Sequence, residues 1–96
     1  MNSLKEIQQI LSSKKEYLKE KYSVNRIGIF GSLARGDFNE NSDADIILEY
    51  EKPMGLEFIS LADELEGFLQ MKTDVVSRDG IKPKYWELIK DEIVYV

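Results

Sequence analysis

The chain has 96 residues, 43% of them hydrophobic, and its 18 acidic and 13 basic side chains give a formal net charge of −5. It contains no cysteine and no histidine, which excludes disulfide scaffolds, zinc fingers, thiol nucleophiles and histidine bases. Any chemistry must therefore use carboxylates, hydroxyls, lysine, arginine, backbone amides and hard metal ions. The acidic balance also argues against direct non-specific binding to nucleic acid or to an anionic membrane, since both need excess lysine and arginine.

At this length the sequence predicts one domain, residues 1–96, because only a single modest hydrophobic core can form. No apolar run approaches the roughly 20 residues of a membrane span, and the polar residues 1–9 do not resemble a signal peptide. We therefore expect a soluble, cytoplasmic protein that has no membrane partner.

The first predicted element is a helix from about Leu4 to Tyr22. Ser3 and Glu6 have the spacing of a capping box, and apolar residues then recur at helical intervals. The following segment, Val24–Phe30, is short and rich in β-formers and ends at a Gly-Ser pair. This pattern predicts a strand that runs into a tight turn.

One helical turn fits in the next segment, Ser32–Arg35, before Gly36 ends it. Residues 37–42 have the composition of a loop, and residues 43–50 alternate into a second strand. Apolar residues at helical spacing then predict an amphipathic helix over about 58–69.

Three further elements complete the predicted order. Residues 73–77 form a third strand, Pro83 fits the first turn of a last helix, and residues 93–96 are an apolar tail with the composition of a short strand. The alternation of helices and strands predicts an α/β (α+β) fold, in which helices pack on a small mixed sheet of about three to four strands.

The first candidate site is the run Gly-Ser-Leu-Ala-Arg-Gly after the first strand, Gly31–Gly36. Glycine lets the backbone turn sharply and lets a ligand approach without a Cβ in the way. Ser32 would then lie at a helix N-terminus, where unpaired N–H groups favour phosphate. The alternative, which a Gly-Ser pair alone favours, is an ordinary turn with Ser32 as the N-cap. The run is neither a P-loop nor a dinucleotide-binding fingerprint.

The second candidate is the pair Asp43 and Asp45 at the start of the second strand. Residues two apart on a strand point to the same face, so these carboxylates lie roughly 6.5–7 Å apart along it. Two aligned carboxylates repel each other unless a cation lies between them. The alternative is a solvated acidic pair near a turn, but the apolar run that follows, Ile46–Leu48, indicates that the pair opens a core strand.

The third candidate is Asp74, an acid inside a β-branched strand. If that strand lies beside the second one, Asp74 comes within about one strand spacing, ~4.8 Å, of the aspartate pair. Three clustered carboxylates suit Mg²⁺ or Mn²⁺, and a pair of such ions forms the clamp used for phosphoryl and nucleotidyl transfer. The alternative is a lone aspartate at a strand edge.

Together the three features resemble the nucleotidyltransferase superfamily related to DNA polymerase β. The motif of its smallest branch, the minimal nucleotidyltransferases, is Gly-Ser-x-Ala-Arg-Gly-Asp/Glu followed by Ser-Asp-x-Asp, and it matches Gly31–Asp37 and Ser42–Asp45. The resemblance covers essentially the whole chain and implies a polymerase β palm-like nucleotidyltransferase fold.

The resemblance also implies how the motif residues bind nucleotide. Gly31 and Ser32 would hold the triphosphate of ATP, and Ser42 would belong to the same nucleotide-binding region by shaping its loop. Arg35 would orient the loop or the phosphates, although a surface ion pair with Asp37 is an open alternative.

For the three aspartates the resemblance implies metal-dependent catalysis. Asp43 and Asp45 would hold two Mg²⁺ ions, with Mn²⁺ as an alternative metal. Asp74 would ligate the catalytic ion and assist deprotonation of the acceptor hydroxyl.

At the level of function, the resemblance implies an enzyme of the EC 2.7.7 type. Minimal nucleotidyltransferases are typically antitoxins that transfer AMP from ATP to a tyrosine of a HEPN-domain ribonuclease toxin, so the implied partner is such a toxin in a hetero-oligomer. Two alternatives stay open: a non-catalytic module that binds nucleotide or caps a toxin, and the catalytic subunit of a transferase that acts on RNA or a small molecule.

Overall fold

The computed structural model describes residues 3–39 and 41–96, so Glu40 in the predicted loop and the first two residues of the polar start lie outside the described residues. The predicted elements are confirmed to within one residue at each predicted boundary, and a short 3₁₀ turn was not predicted. The elements are α1 Leu4–Tyr22, β1 Val24–Phe30, α2 Gly31–Arg35, β2 Ala44–Tyr50, α3 Glu57–Leu69, β3 Thr73–Ser77, a 3₁₀ turn Arg78–Gly80, α4 Pro83–Ile89 and β4 Val94–Tyr95.

The longest helix, α1, begins at the N-cap Ser3, which pairs with Glu6 as the predicted spacing indicates. Ser3 Oγ accepts a hydrogen bond from Glu6 N at 3.2 Å and donates one to Glu6 Oε1 at 3.1 Å. The helix ends where Ser23 adopts a left-handed conformation, with φ of 61°, and this sharp turn leads directly into β1. Within the two described ranges, no helix has the length and apolar character needed to cross a membrane.

The four strands form one mixed sheet in the order β3-β2-β1-β4. The inner strands β1 and β2 are antiparallel, β3 runs parallel to β2, and β4 runs antiparallel to β1. The prediction of a small mixed sheet with helices is therefore confirmed. Because β3 stands at one end of this strand order, it is an edge strand of the sheet.

The two faces of the sheet carry different hydrophobic clusters. Helices α1 and α3 cover one face, where Ala44, Ile46 and Leu48 of β2 are fully buried. The opposite face carries a smaller cluster, in which Phe30 and Ile47 pack with residues of α4 and of the C-terminal tail. Since side chains alternate along a strand, the residues between the fully buried ones on β2 face this second, less covered side.

A polar cluster on the surface joins α1 to α3. Glu64 of α3 accepts hydrogen bonds from the hydroxyls of Tyr17 and Tyr22 and from Lys21 Nζ, the last at 3.1 Å. The hydrogen bonds from Tyr17 and then Tyr22 lower the pKa of the Glu64 carboxyl below its ordinary value, against the opposing effect of burial. The ionised form of Glu64 therefore stabilises the contact between the two helices.

We expect the Glu64→Gln variant to be less stable than the wild type at neutral pH, by about 1 kcal/mol, because charged hydrogen bonds are lost. The folded-state pKa of Glu64 lies below the unfolded value of about 4.3. Its stabilisation is thus present above that value and is lost as the pH falls through the folded-state pKa. Thermal unfolding from pH 7 to pH 3 measures this, with Glu66→Gln, an exposed residue of the same helix, as the control. A deficit for Glu64→Gln that stays constant over this range would contradict the assignment.

Candidate active site

Asp45 on the inner strand β2 is the residue around which the candidate site forms. The strand register places Asp45 opposite Phe30 of β1 on one side and opposite Asp74 of β3 on the other. Phe30 is the last residue of β1 before Gly31. The glycine turn, Asp45 and Asp74, which are far apart in the chain, therefore meet at one place on the sheet, and Asp43 lies one residue before β2 begins.

Burial along the strands indicates which face the aspartates occupy. On β3, Val75 packs against the cluster under α1 and α3, whereas Val76 packs against the second cluster. Alternation places Asp74 on the same side as Val76, and the buried Ala44 places Asp45 on that side too. Asp45 is half-buried and Asp74 is exposed. The predicted neighbourhood of the second and third strands is confirmed.

Gly31 makes the turn from β1 into α2 and lies directly beside Asp45. Its φ is +72°, a left-handed conformation that other residues rarely adopt. A Cβ at this position would overlap the Asp45 carboxylate and lie 3.0 Å from its Cγ. Both the turn and the close approach therefore require glycine.

The helix after this turn begins one residue earlier than the sequence predicts. Gly31 is its first residue, Phe30 occupies the N-cap position without a side-chain cap, and Ser32 lies in the first turn. The alternative interpretation of Ser32 as an ordinary N-cap is therefore wrong. The helix ends at Gly36, as predicted, where the N–H of Gly36 donates to Ser32 O at 2.9 Å.

Burial and neighbouring charges raise the pKa of the Asp45 carboxyl above its ordinary value. Burial is the largest cause, followed by the negative charges of Asp74 and Asp43, while the Arg35 guanidinium opposes them. Glu92 adds a further raising effect. Asp74 and Asp43 are thus each close enough to act on Asp45, and this repulsion destabilises its ionised form.

The donor chemistry of this face suits a hard divalent cation, because every candidate ligand is a carboxylate oxygen. A cation placed among Asp43, Asp45 and Asp74 would also relieve the repulsion that raises the pKa of Asp45. Within residues 3–39 and 41–96, no group of three or more acidic side chains is already arranged to hold a metal ion. The residues therefore fit Mg²⁺ by the chemistry of their donor atoms, and Asp45 and Asp74 also share a face of the sheet.

Arg35 and Ser42 have defined contacts around the site. Arg35 Nε lies 3.4 Å from Asp37 Oδ2, and its Nη1 lies 3.5 Å from Glu92 Oε2. The predicted pair with Asp37 is therefore present, but a second carboxylate holds the guanidinium beside the glycine turn. Ser42 Oγ accepts a hydrogen bond from Asn39 N at 3.2 Å and shapes the loop that leads to the aspartate pair.

Glu92 is a site residue that the sequence pattern did not indicate. Gly31 N donates a hydrogen bond to Glu92 Oε1 at 3.2 Å, so this carboxylate lies on the glycine turn itself. The signal that could have found it is topological: β4 pairs with β1 so that Val94 lies opposite Ile29. Continuing that antiparallel register by two residues brings Glu92 opposite Gly31.

The chain is similar to several known proteins. The family model described as "Nucleotidyltransferase domain" matches residues 11–96. Protein adenylyltransferase MntA of Thermococcus cleftensis is 39% identical over 97 residues, which cover 100% of this chain and 98% of that relative. The candidate protein adenylyltransferase MJ0128 of Methanocaldococcus jannaschii is 44% identical over 98 residues and 100% of both chains. A solved structure of a candidate minimal nucleotidyltransferase superposes with a TM-score of 0.82 at 29% identity, covering 97% of this chain and 95% of that one.

Proposed function

Because this chain belongs to the nucleotidyltransferase domain family, we propose that it transfers AMP from ATP to a tyrosine of a HEPN-domain ribonuclease toxin and so acts as the antitoxin in a hetero-oligomer. Family membership makes the chain a nucleotidyltransferase of the EC 2.7.7 type. The names of its relatives, which are protein adenylyltransferases, support a protein as the acceptor. The observation that carries the proposal is the meeting of Gly31, Asp45 and Asp74 on one sheet face.

The glycine turn is the proposed binding site for the triphosphate of ATP. Gly31 has no Cβ, so phosphate oxygens can approach its N–H closely. Ser32 adds a hydroxyl donor from the first turn of α2, and the Arg35 guanidinium adds positive charge beside the turn. These groups orient the phosphates next to Asp45.

Asp43, Asp45 and Asp74 are the proposed ligands of Mg²⁺, for which Mn²⁺ is an alternative, and two ions are expected. When bound, the metal supplies the positive charge that offsets the charge developing on the phosphate oxygens. The chain itself contributes rigidity, because Asp45 lies on an inner strand that is paired on both sides.

Asp74 is the proposed acceptor of the tyrosine proton. The tyrosine oxygen forms a bond to the α-phosphorus of ATP, the bond from that phosphorus to the bridging oxygen breaks, and pyrophosphate leaves. The proton of the hydroxyl passes to the Asp74 carboxylate. Asp74 is exposed on the edge strand β3, so a hydroxyl carried by another protein can reach it. A net charge of −5 also favours docking to a basic, RNA-cleaving partner.

The test is to incubate the protein with α-labelled ATP, Mg²⁺ and a HEPN-domain protein encoded beside it. We expect label on a tyrosine of that protein, located by mass spectrometry, and loss of its RNA cleavage. Replacing the acceptor tyrosine by phenylalanine should remove the label. Complex formation without label would overturn the proposal in favour of a capping module, and label that passes only to RNA or to an aminoglycoside would overturn it in favour of a different acceptor.

A further inference from the structure

The carboxylate of Glu92 contacts two hydrogen-bond donors at once, one at each end of α2. Its Oε1 accepts the Gly31 N–H at 3.2 Å, and its Oε2 lies 3.5 Å from Arg35 Nη1. The Glu92 side chain is 24% exposed, whereas that of Arg35 is 51% exposed. The Gly31 N–H and the Arg35 guanidinium are therefore occupied by an anionic group of the protein itself.

The fold fixes the main chain on both sides of Glu92. Before it the chain is tied to α4, since Glu92 N donates to Ile89 O at 3.0 Å. After it the chain pairs with β1, where Val96 N donates to Ile27 O at 2.9 Å. Gly28 lets this tail lie close to the sheet, because a Cβ there would be 2.5 Å from Ile93 Cγ2. Only the side-chain bonds of Glu92 are thus left to move its carboxylate.

We propose that Glu92 is an internal competitor of the nucleotide: its carboxylate occupies the Gly31 N–H and the Arg35 guanidinium in the free protein and yields them to the oligophosphate of the incoming ligand. This inference rests on the proposed function, since it assigns a regulatory contact to the same site. Carboxylate and phosphate oxygens use the same charge-assisted donors. They also repel each other, so Glu92 and an oligophosphate cannot share them without cost.

The competition has a direct consequence for which ligands bind. Displacing Glu92 costs the same free energy for every ligand that takes its two donors. A triphosphate gains more from the freed donors than a ligand with one phosphate, so it offsets that cost more easily. Glu92 thus weakens the binding of all such anions, and ligands with several phosphate charges are those that still bind well.

The test compares Glu92→Gln with the wild type and with Glu87→Gln, a matched change at an exposed glutamate of α4 that pairs with its neighbour Lys90. Calorimetric titration with Mg²⁺–ATP and with Mg²⁺–inorganic triphosphate measures affinity. We expect Glu92→Gln to bind both ligands more tightly, on the order of tenfold, which corresponds to about 1.4 kcal/mol. Glu87→Gln should bind as the wild type does. In transfer assays the gain should appear as a lower KM for ATP with kcat unchanged.

A second variant and an NMR readout separate competition from a structural role. Glu92→Asp keeps the charge but withdraws the carboxylate from the turn, so we expect it to bind triphosphate more tightly than the wild type and to exchange its Gly31 amide proton faster without ligand. Circular dichroism confirms folding of each variant.

Each outcome of these measurements decides one of the two proposals. Equal or weaker binding by both folded Glu92 variants, with AMP transfer intact in the wild type, would overturn the role of Glu92 and leave the proposed function standing. Tighter triphosphate binding by the variants in a protein that transfers no AMP would support the competition and overturn the proposed function.

Discussion

Replacing Asp45 with asparagine is expected to reduce the proposed AMP transfer by about three orders of magnitude or more, while the metal-free protein unfolds at the same or a higher temperature. A metal-held phosphate oxygen is worth several kcal/mol to the transition state, and each ~1.4 kcal/mol is a factor of ten in rate. Stability should not fall, because burial and the charges of Asp74 and Asp43 already raise the pKa of the Asp45 carboxyl. Asparagine removes that unfavourable charge without changing the shape of the side chain.

The pH dependence of this effect has a definite sign. Since the folded-state pKa of Asp45 is raised, protonation favours the folded state, and the stabilisation present at low pH is lost as the pH rises through that pKa. Relative to Asp45→Asn, the wild type should therefore lose stability on going from acidic to neutral pH. The pH dependence that Glu64 contributes to stability has the opposite sign, because the folded-state pKa of Glu64 is lowered.

Thermal unfolding in the presence of a chelator and labelled-AMP transfer measure the two parts of the Asp45 prediction. The exposed Asp63 on α3 provides the matched control, because Asp63→Asn should retain full transfer. An Asp45→Asn protein that still transfers AMP would contradict the proposed catalytic role of Asp45. A metal-free Asp45→Asn protein that unfolds earlier than the wild type would show that the carboxylate stabilises the fold.

Replacing Gly31 with alanine is expected to damage both stability and activity. Alanine in a left-handed conformation costs about 1–2 kcal/mol, and the new Cβ would also push the Asp45 carboxylate out of its place. A displacement of about 1 Å in a reacting group can cost about 10²-fold in rate. We therefore expect a loss of stability above 1–2 kcal/mol together with a loss of transfer of about 10²-fold or more.

Gly36 offers a control that separates backbone strain from the collision with Asp45. Its φ is +90°, but nothing lies within 4 Å of a Cβ built there. Gly36→Ala should thus show the strain alone, with transfer much less affected. Urea denaturation and transfer assays on the two variants measure the difference. Equal losses of stability and activity in both would contradict the claim that Gly31 makes room for Asp45.

The local sequence pattern was sufficient to predict the helices and strands and the sheet face on which Asp45 lies. The alternation of Ala44, Ile46 and Leu48 predicts that these three residues share a core face, and their complete burial confirms it, although Ile47 on the other face is buried as well. The position of Asp74 beside Asp45 was only a conditional prediction, because the pairing of β2 with β3 is a long-range contact with no local signal. The metal and nucleotide roles of the site residues stay predictions.

Two features could not be predicted from the sequence, and the reasons are physical. The start of α2 at Gly31 depends on a left-handed φ, which glycine permits but does not require. The approach of Glu92 to that turn depends on β4 pairing with β1, and a two-residue strand has too few side chains to reveal its partner. Both features come from tertiary packing.

The alternation along β2 separates two selective constraints within one short strand. Even-numbered positions, such as Ile46, contribute to the core beneath α1 and α3, whereas the odd-numbered side carries both Asp45 of the candidate site and Ile47 of the second cluster. A lineage that changed the chemistry at Asp45 would thus leave the even-numbered core residues in place, but it would have to keep Ile47.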